Sequence, residues 1–136
     1  MNFAKNKSQI IQLAQDDDSI EILWLYGSHA KGNAHKKSDI DLAVAFKTWE
    51  NNVIERRLRP ELLALDWQHQ LNLSEGQISV LDINIAPIPL AMSVLQGGEL
   101  LLCKNRSRQL QEQQRIMSKW ELDYLYHYQQ QRANYG

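Results

Sequence analysis

The sequence predicts a small α/β (α+β) domain in which a mixed β-sheet is flanked by helices. Three observations carry this expectation. Short apolar, β-branched runs alternate with stretches of helical period, in the order α-β-β-α-β-α-β-α. The 136 residues are one domain's worth of chain and bury enough surface for a core without disulfide or metal staples. The composition, 43% hydrophobic and 23% charged, is that of an ordinary globular protein and excludes disorder and collagen-like structure.

Each element has a local justification. Residues 3–15 place Phe3, Ile10, Ile11, Leu13 and Ala14 on one apolar stripe, which predicts a first helix, broken by Asp16-Asp17-Asp18-Ser19. Ile20–Tyr26, IEILWLY, is too short and too β-branched for a helix and reads as a buried strand ended by Gly27-Ser28. A polar connection, His29–Ser38, leads to a second strand, Asp39–Phe46. There Ile40, Leu42, Val44 and Phe46 share one face and Asp39 and Asp41 the other. A helical stretch spans about Glu50–Leu73, with Pro60 expected to open its main helix. Gln77–Ala86 alternates as a third strand, with Ile78, Val80, Asp82 and Asn84 on one face and Ser79, Leu81, Ile83 and Ile85 on the other. Pro87 and Pro89 end it. A short helix to Gln96, a fourth strand at Glu99–Lys104 and a long Gln- and Arg-rich helix at Arg106–Arg132 complete the chain. That last helix carries Leu110, Met117, Trp120, Tyr124 and Tyr128 near helical spacing, which suits either packing on the sheet or a docking surface.

Charge and cysteine content narrow the function classes. Fifteen Lys and Arg against sixteen Asp and Glu leave a net charge of −1, which disfavours a nucleic-acid-coating protein but allows a local phosphate pocket. Cys103 is the single cysteine, so no intrachain disulfide or Cys-based zinc site is expected. With no signal-peptide pattern at the N-terminus and no apolar run of spanning length, a soluble cytoplasmic domain is expected, with no membrane partner.

The chemistry centres on carboxylates. Asp39 and Asp41, two apart on a strand, point the same way with Cα atoms ~6.5–7 Å apart. Taken alone they suit a wet surface as well as a site. Asp82 lies mid-strand between Leu81 and Ile83, where an unpaired carboxylate is expensive. If the third strand lies beside the second, Asp82 joins Asp39 and Asp41, and the cluster calls for divalent cations. Two ions ~3.5–4 Å apart are the usual arrangement for displacement at phosphorus. Gly27, after a buried strand, lets backbone approach a ligand, and Ser28 offers a hydroxyl to phosphate. Lys31, Lys36 and Lys37 and the histidines His29 and His35 lie in the same connection. Asp66, on a helix beside Trp67, is the rival third acid but reads as a surface residue.

The segment YGSHAKGNAHKKSDIDLAV (Tyr26–Val44) resembles the nucleotidyltransferase signature of the DNA-polymerase-β-like superfamily, and in particular its minimal nucleotidyltransferases (MNT). The order of elements after it, with VLDINIA on a strand, extends the resemblance over nearly the whole chain. The resemblance implies a single nucleotidyltransferase-fold domain over 1–136. It implies ATP as substrate held by Gly27, Ser28 and Lys37, and two Mg²⁺ ions ligated by Asp39, Asp41 and Asp82, with Asp82 also helping to activate the acceptor. For the antitoxins of HEPN–MNT toxin–antitoxin systems, it implies AMP transfer to a tyrosine hydroxyl of a HEPN RNase toxin in a hetero-oligomeric complex, with no direct nucleic-acid partner. Two rivals remain: a small-molecule O-nucleotidyltransferase, and a non-catalytic antitoxin acting by occlusion.

Overall fold

The computed structural model describes residues 3–32, 34 and 38–135, with side chains as far as 131. The elements are α1 (Phe3–Asp16), β1 (Ile20–Tyr26), α2 (Ser28–Lys31), β2 (Ile40–Phe46), α3 (Val53–Gln70), β3 (Ile78–Asp82), α4 (Ile88–Gly97), β4 (Glu99–Cys103) and α5 (Arg106–Tyr135). The four strands form one sheet in the order β3-β2-β1-β4. β1 pairs antiparallel with both β2 and β4, while β2 and β3, joined through α3, run parallel. The mixed sheet read from the sequence is therefore observed.

Both faces of the sheet are covered. On the first, Leu23, Leu25, Ile40, Leu42 and Val44 pack with Ile10 and Ala14 of α1 and Leu63 and Trp67 of α3. On the second, Ile22, Trp24, Ala43 and Ala45 pack with Ala91, Met92 and Val94 of α4 and Ile116 of α5. The alternation of each strand produces this division, because successive side chains point to opposite faces.

Two local expectations are corrected, the two alternatives left for the C-terminal helix are decided, and the polar connection after β1 is found to begin with a helix, α2, that the sequence order lacked. Pro60 does not open α3. It lies inside the helix, which starts seven residues earlier because the Asn52 side chain accepts from Glu55 N–H at 3.0 Å and caps it. The third strand stops at Asp82 rather than Ala86, since the Asp82 carbonyl accepts the N–H groups of Ile85 (3.2 Å) and Ala86 (3.0 Å) and turns the chain. The C-terminal helix does not lay its aromatic stripe on the sheet. From Met117 to Gln131 every side chain of α5 is exposed, and only its first half, with Ile116, enters the core.

Candidate active site

The Gly-Ser pair and the Asp-x-Asp pair meet at one end of the two central strands, where β1 finishes and β2 begins. The antiparallel register sets Tyr26, the last residue of β1, opposite Asp41 near the start of β2. Gly27 follows directly, with φ +73°, a conformation that L side chains rarely adopt. A Cβ built on Gly27 would land on Asp41 Oδ2 and lie 3.2 Å from Asp41 Cγ. The glycine is thus required twice, by backbone angle and by the carboxylate beside it. Ser28 starts the one-turn helix α2, whose Lys31 N–H bonds back to the Gly27 carbonyl at 3.1 Å.

Asp39 is exposed and Asp41 partly buried. Burial pushes the Asp41 carboxyl above its ordinary pKa, the Asp39 charge adds to this, and nearby His29 opposes it. Tyr26 is likewise raised, by burial and then by Asp41. Two like charges held together at a partly buried position store repulsion that a cation would relieve. His29 is fixed between a stacked Phe3 ring, centroids 4.0 Å apart, and the Ser38 carbonyl, 3.3 Å from Nε2. That pairing ties α2 to the chain entering β2, so His29 braces that end of the sheet rather than standing free.

Asp82 does not join this pair. In the parallel register Asp41 lies level with Ser79, and Asp82 lies level with Val44. Val44 belongs to the face covered by α1 and α3, whereas Ala43, of the same parity as Asp41, belongs to the other. Asp82 is therefore on the opposite face and three residues further along, about 10 Å at the usual strand rise. Among the described residues no group of three His, Cys, Asp or Glu side chains is placed to hold a metal ion. The expected triad of Asp39, Asp41 and Asp82 is corrected to a pair. The β3 residue on the pair's face and level with it is Ser79, which is exposed.

Asp82 has a different setting. Its side chain is 1% exposed and lies 3.9 Å from Arg59 of α3, whose guanidinium stacks on Phe46 at 4.0 Å. Oδ1 accepts Asn84 N–H at 3.0 Å, while Oδ2 and Arg59 Nε have no hydrogen-bond partner. Burial raises the Asp82 pKa against the lowering effects of the Asn84 N–H, Arg59 and Arg108. Beside it, Arg108 of α5 donates to Glu21 (3.1 Å), the Phe46 carbonyl (3.0 Å), Asn84 (2.7 Å) and Glu112 (3.0 Å). Glu112 in turn accepts from Asn84 (2.8 Å) and from Arg115 (2.9 Å). This network pins α5 to the sheet. Its local signs in the sequence are the Arg108/Glu112 spacing of four and the Glu112/Arg115 spacing of three.

Other candidate residues are settled by position. Asp66 is exposed on α3 and accepts from Gln70 at 2.9 Å, as a surface residue. His35, Lys36 and Lys37 lie outside the described residues, so the expected Lys37 contact has no structural description. Lys31 is exposed near the pair's end of the sheet. Among the described residues no helix is long and apolar enough to cross a membrane.

Two carboxylates beside a glycine cradle fit a Mg²⁺ ion, which is ordinarily held by one or two carboxylates plus substrate phosphates. The absence of a Cβ at Gly27 lets the Asp41 carboxylate lie directly against that backbone.

Comparison with known proteins bears on this geometry. The polymerase beta nucleotidyltransferase family model matches residues 8–107. The protein adenylyltransferase MntA of Shewanella oneidensis is 29% identical over 98 residues, covering 71% of this chain and 64% of that protein. The chain thus spans a little under two thirds of that relative. Among solved structures, a toxin–antitoxin complex with AMP-PNP contains a chain that superposes with a TM-score of 0.69 at 23% identity, covering 85% of this chain and 87% of that one. A complex of the tri-AMPylated Shewanella oneidensis HEPN toxin with its MNT antitoxin gives 0.64 at 20% identity, covering 87% and 86%. These two likenesses show the shared fold.

Proposed function

Because the chain belongs to the polymerase beta nucleotidyltransferase family, we propose that it transfers AMP from Mg·ATP to a tyrosine hydroxyl of a HEPN-domain toxin and so silences it. The observation that carries this reading is the Gly27 backbone set against Asp41, with Asp39 beside it, where β1 ends and β2 begins. The likeness to an adenylyltransferase, and to an antitoxin bound to an AMPylated HEPN toxin, supports the choice of donor and acceptor.

In this reading Gly27 and Ser28 receive the triphosphate, Lys37 adds a charge contact to it, and Asp39 and Asp41 hold magnesium. A bound ion would neutralise phosphate charge and ease departure of pyrophosphate. The acceptor oxygen forms a bond to the α-phosphorus, the α–β bridging bond breaks, and the acceptor proton leaves. Asp82, buried on the other face, takes no part in removing that proton. Its work is to seat Arg59 and the Asn84 turn. Residues 1–136 act as one domain in the cytoplasm, where ATP is at hand, and the exposed half of α5 offers the partner a surface. Ions beyond the one held by the Asp39/Asp41 pair have no carboxylate of β3 to hold them.

Ser79 in place of a third carboxylate favours a second reading, neutralisation by occlusion alone. Co-expression with a HEPN toxin, followed by mass spectrometry of the toxin, separates the two. Adenylate on a toxin tyrosine, lost with Asp39→Asn or Asp41→Asn, is the expected result. A silenced but unmodified toxin would establish occlusion.

A further inference from the structure

Ser79 occupies the one position on β3 that is level with Asp41 and shares its face. Neighbouring strands lie ~4.8 Å apart, so a side chain at 79 reaches the space in front of the pair. Ser79 is exposed, so its hydroxyl is not buried against another described element. Asp82, the one buried acid of β3, is committed to Arg59 and Asn84 on the other face. The pair therefore offers two negative charges and a neutral hydroxyl. A hydroxyl is a poor ligand for a hard cation beside a carboxylate, and divalent-cation affinity follows the ligand charge count.

We propose that Ser79 limits this site to a single firmly held divalent cation per bound nucleotide, and that the residue at 79 sets the site's metal stoichiometry. The inference rests on the nucleotidyltransferase reading of the Gly27/Asp39/Asp41 site and adds to it a role for Ser79. A carboxylate at 79 would face Asp41 across the strand pair and provide the third arm that a second ion needs. Without metal it would add a third like charge to Asp39 and Asp41 and destabilise the site.

The test is a Mn²⁺ titration of the full chain with a non-hydrolysable ATP analogue, read by the paramagnetic resonance of free Mn²⁺, with calorimetry of nucleotide binding alongside. Wild type should bind one Mn²⁺ tightly per nucleotide. Ser79→Asp should bind two, the second gaining about tenfold or more in affinity, consistent with the dependence on ligand charge. Ser79→Ala should match wild type. Thermal melts supply an independent readout: Ser79→Asp should melt lower than wild type without metal and recover when Mn²⁺ and nucleotide are added. Two tight ions in wild type, or one in Ser79→Asp with nucleotide bound, would overturn the inference and leave the nucleotide site standing. Absence of nucleotide binding in wild type would overturn both.

Discussion

Gly27 and Asp41 show how two residues distant in sequence determine one another. The glycine's φ of +73° and the adjacent Asp41 Oδ2 leave no place for a side chain. Gly27→Ala should therefore cost about 1–3 kcal/mol from backbone strain alone. It should also displace Asp41, so calorimetry is expected to show loss of nucleotide binding in protein that still has a native circular dichroism spectrum. Asp41 carries a pH prediction. Its pKa is raised in the fold, so the folded state binds more protons than the unfolded state, and this group's contribution to stability falls as pH rises from its unfolded value of 3.8 through the raised one. Asp41→Asn removes that loss. Without metal, its melting temperature should exceed that of wild type at neutral pH, and the difference should shrink as the pH approaches 4. The two residues were legible in the sequence as Gly-Ser and Asp-x-Asp. Their mutual contact was not, since the antiparallel β1/β2 register that sets Tyr26 opposite Asp41 brings it about.

At the scale of elements, the attachment of α5 is the feature that hydrophobic periodicity does not disclose. Arg108 holds the helix to β1, to the end of β2 and to the turn after β3 through three acceptors, and Glu112 closes the network. Burial opposes ionisation of Glu112, but hydrogen bonds from Asn84, Arg108 and Arg115 outweigh it and hold its pKa below 4.5. Its stabilising contribution is complete above that unfolded value and is lost as pH falls through the depressed one. Arg108→Met should cost about 3–5 kcal/mol, because it leaves buried Glu112 and partly buried Asn84 with fewer partners. It should also flatten the acid limb of the stability profile, measured by urea unfolding between pH 3 and 7. The same local logic accounts for α3: an Asn52 cap starts the helix and carries it through Pro60, against the expectation that proline marks the first turn.

At the scale of the molecule, the acidic pair and the exposed apolar surface of α5 belong to different elements. The Gly27/Asp41 site lies at the end of β1 and the start of β2, while α5 projects beyond the core with Trp120, Leu122, Tyr124, Leu125, Tyr126 and Tyr128 exposed. An apolar surface of this kind, on the half of a helix that lies beyond the sheet, is a mark of an interaction site. In the proposed function it receives the toxin. Replacing Tyr124 and Tyr126 together by Ser should weaken toxin binding by about 2 kcal/mol or more, the scale of aromatic hot spots. Surface plasmon resonance would measure it, and nucleotide affinity should remain that of wild type. Unaltered toxin binding would place the interface elsewhere.

By itself the sequence determined the order of the strands and of every helix but α2, the apolar face of β2, the Gly-Ser turn and the acidic pair, because each rests on residues within one turn or one strand of each other. The one-turn α2 escaped it, since four residues carry no helical period. The sequence also carried enough of the signature to indicate the nucleotidyltransferase family. Only the tertiary structure decided which residue of β3 faces the pair. Parity within a strand is local, since side chains alternate along it. Parity between strands depends on the register, and in a parallel pair joined through an eighteen-residue helix no hairpin turn sets that register in advance. A shift of one residue exchanges the faces of every side chain on β3. The register observed here gives Ser79 to the acidic pair and sends Asp82 to Arg59 beneath α3, because it buries Ile78 and the partly covered Val80 beside Ile40 and Leu42.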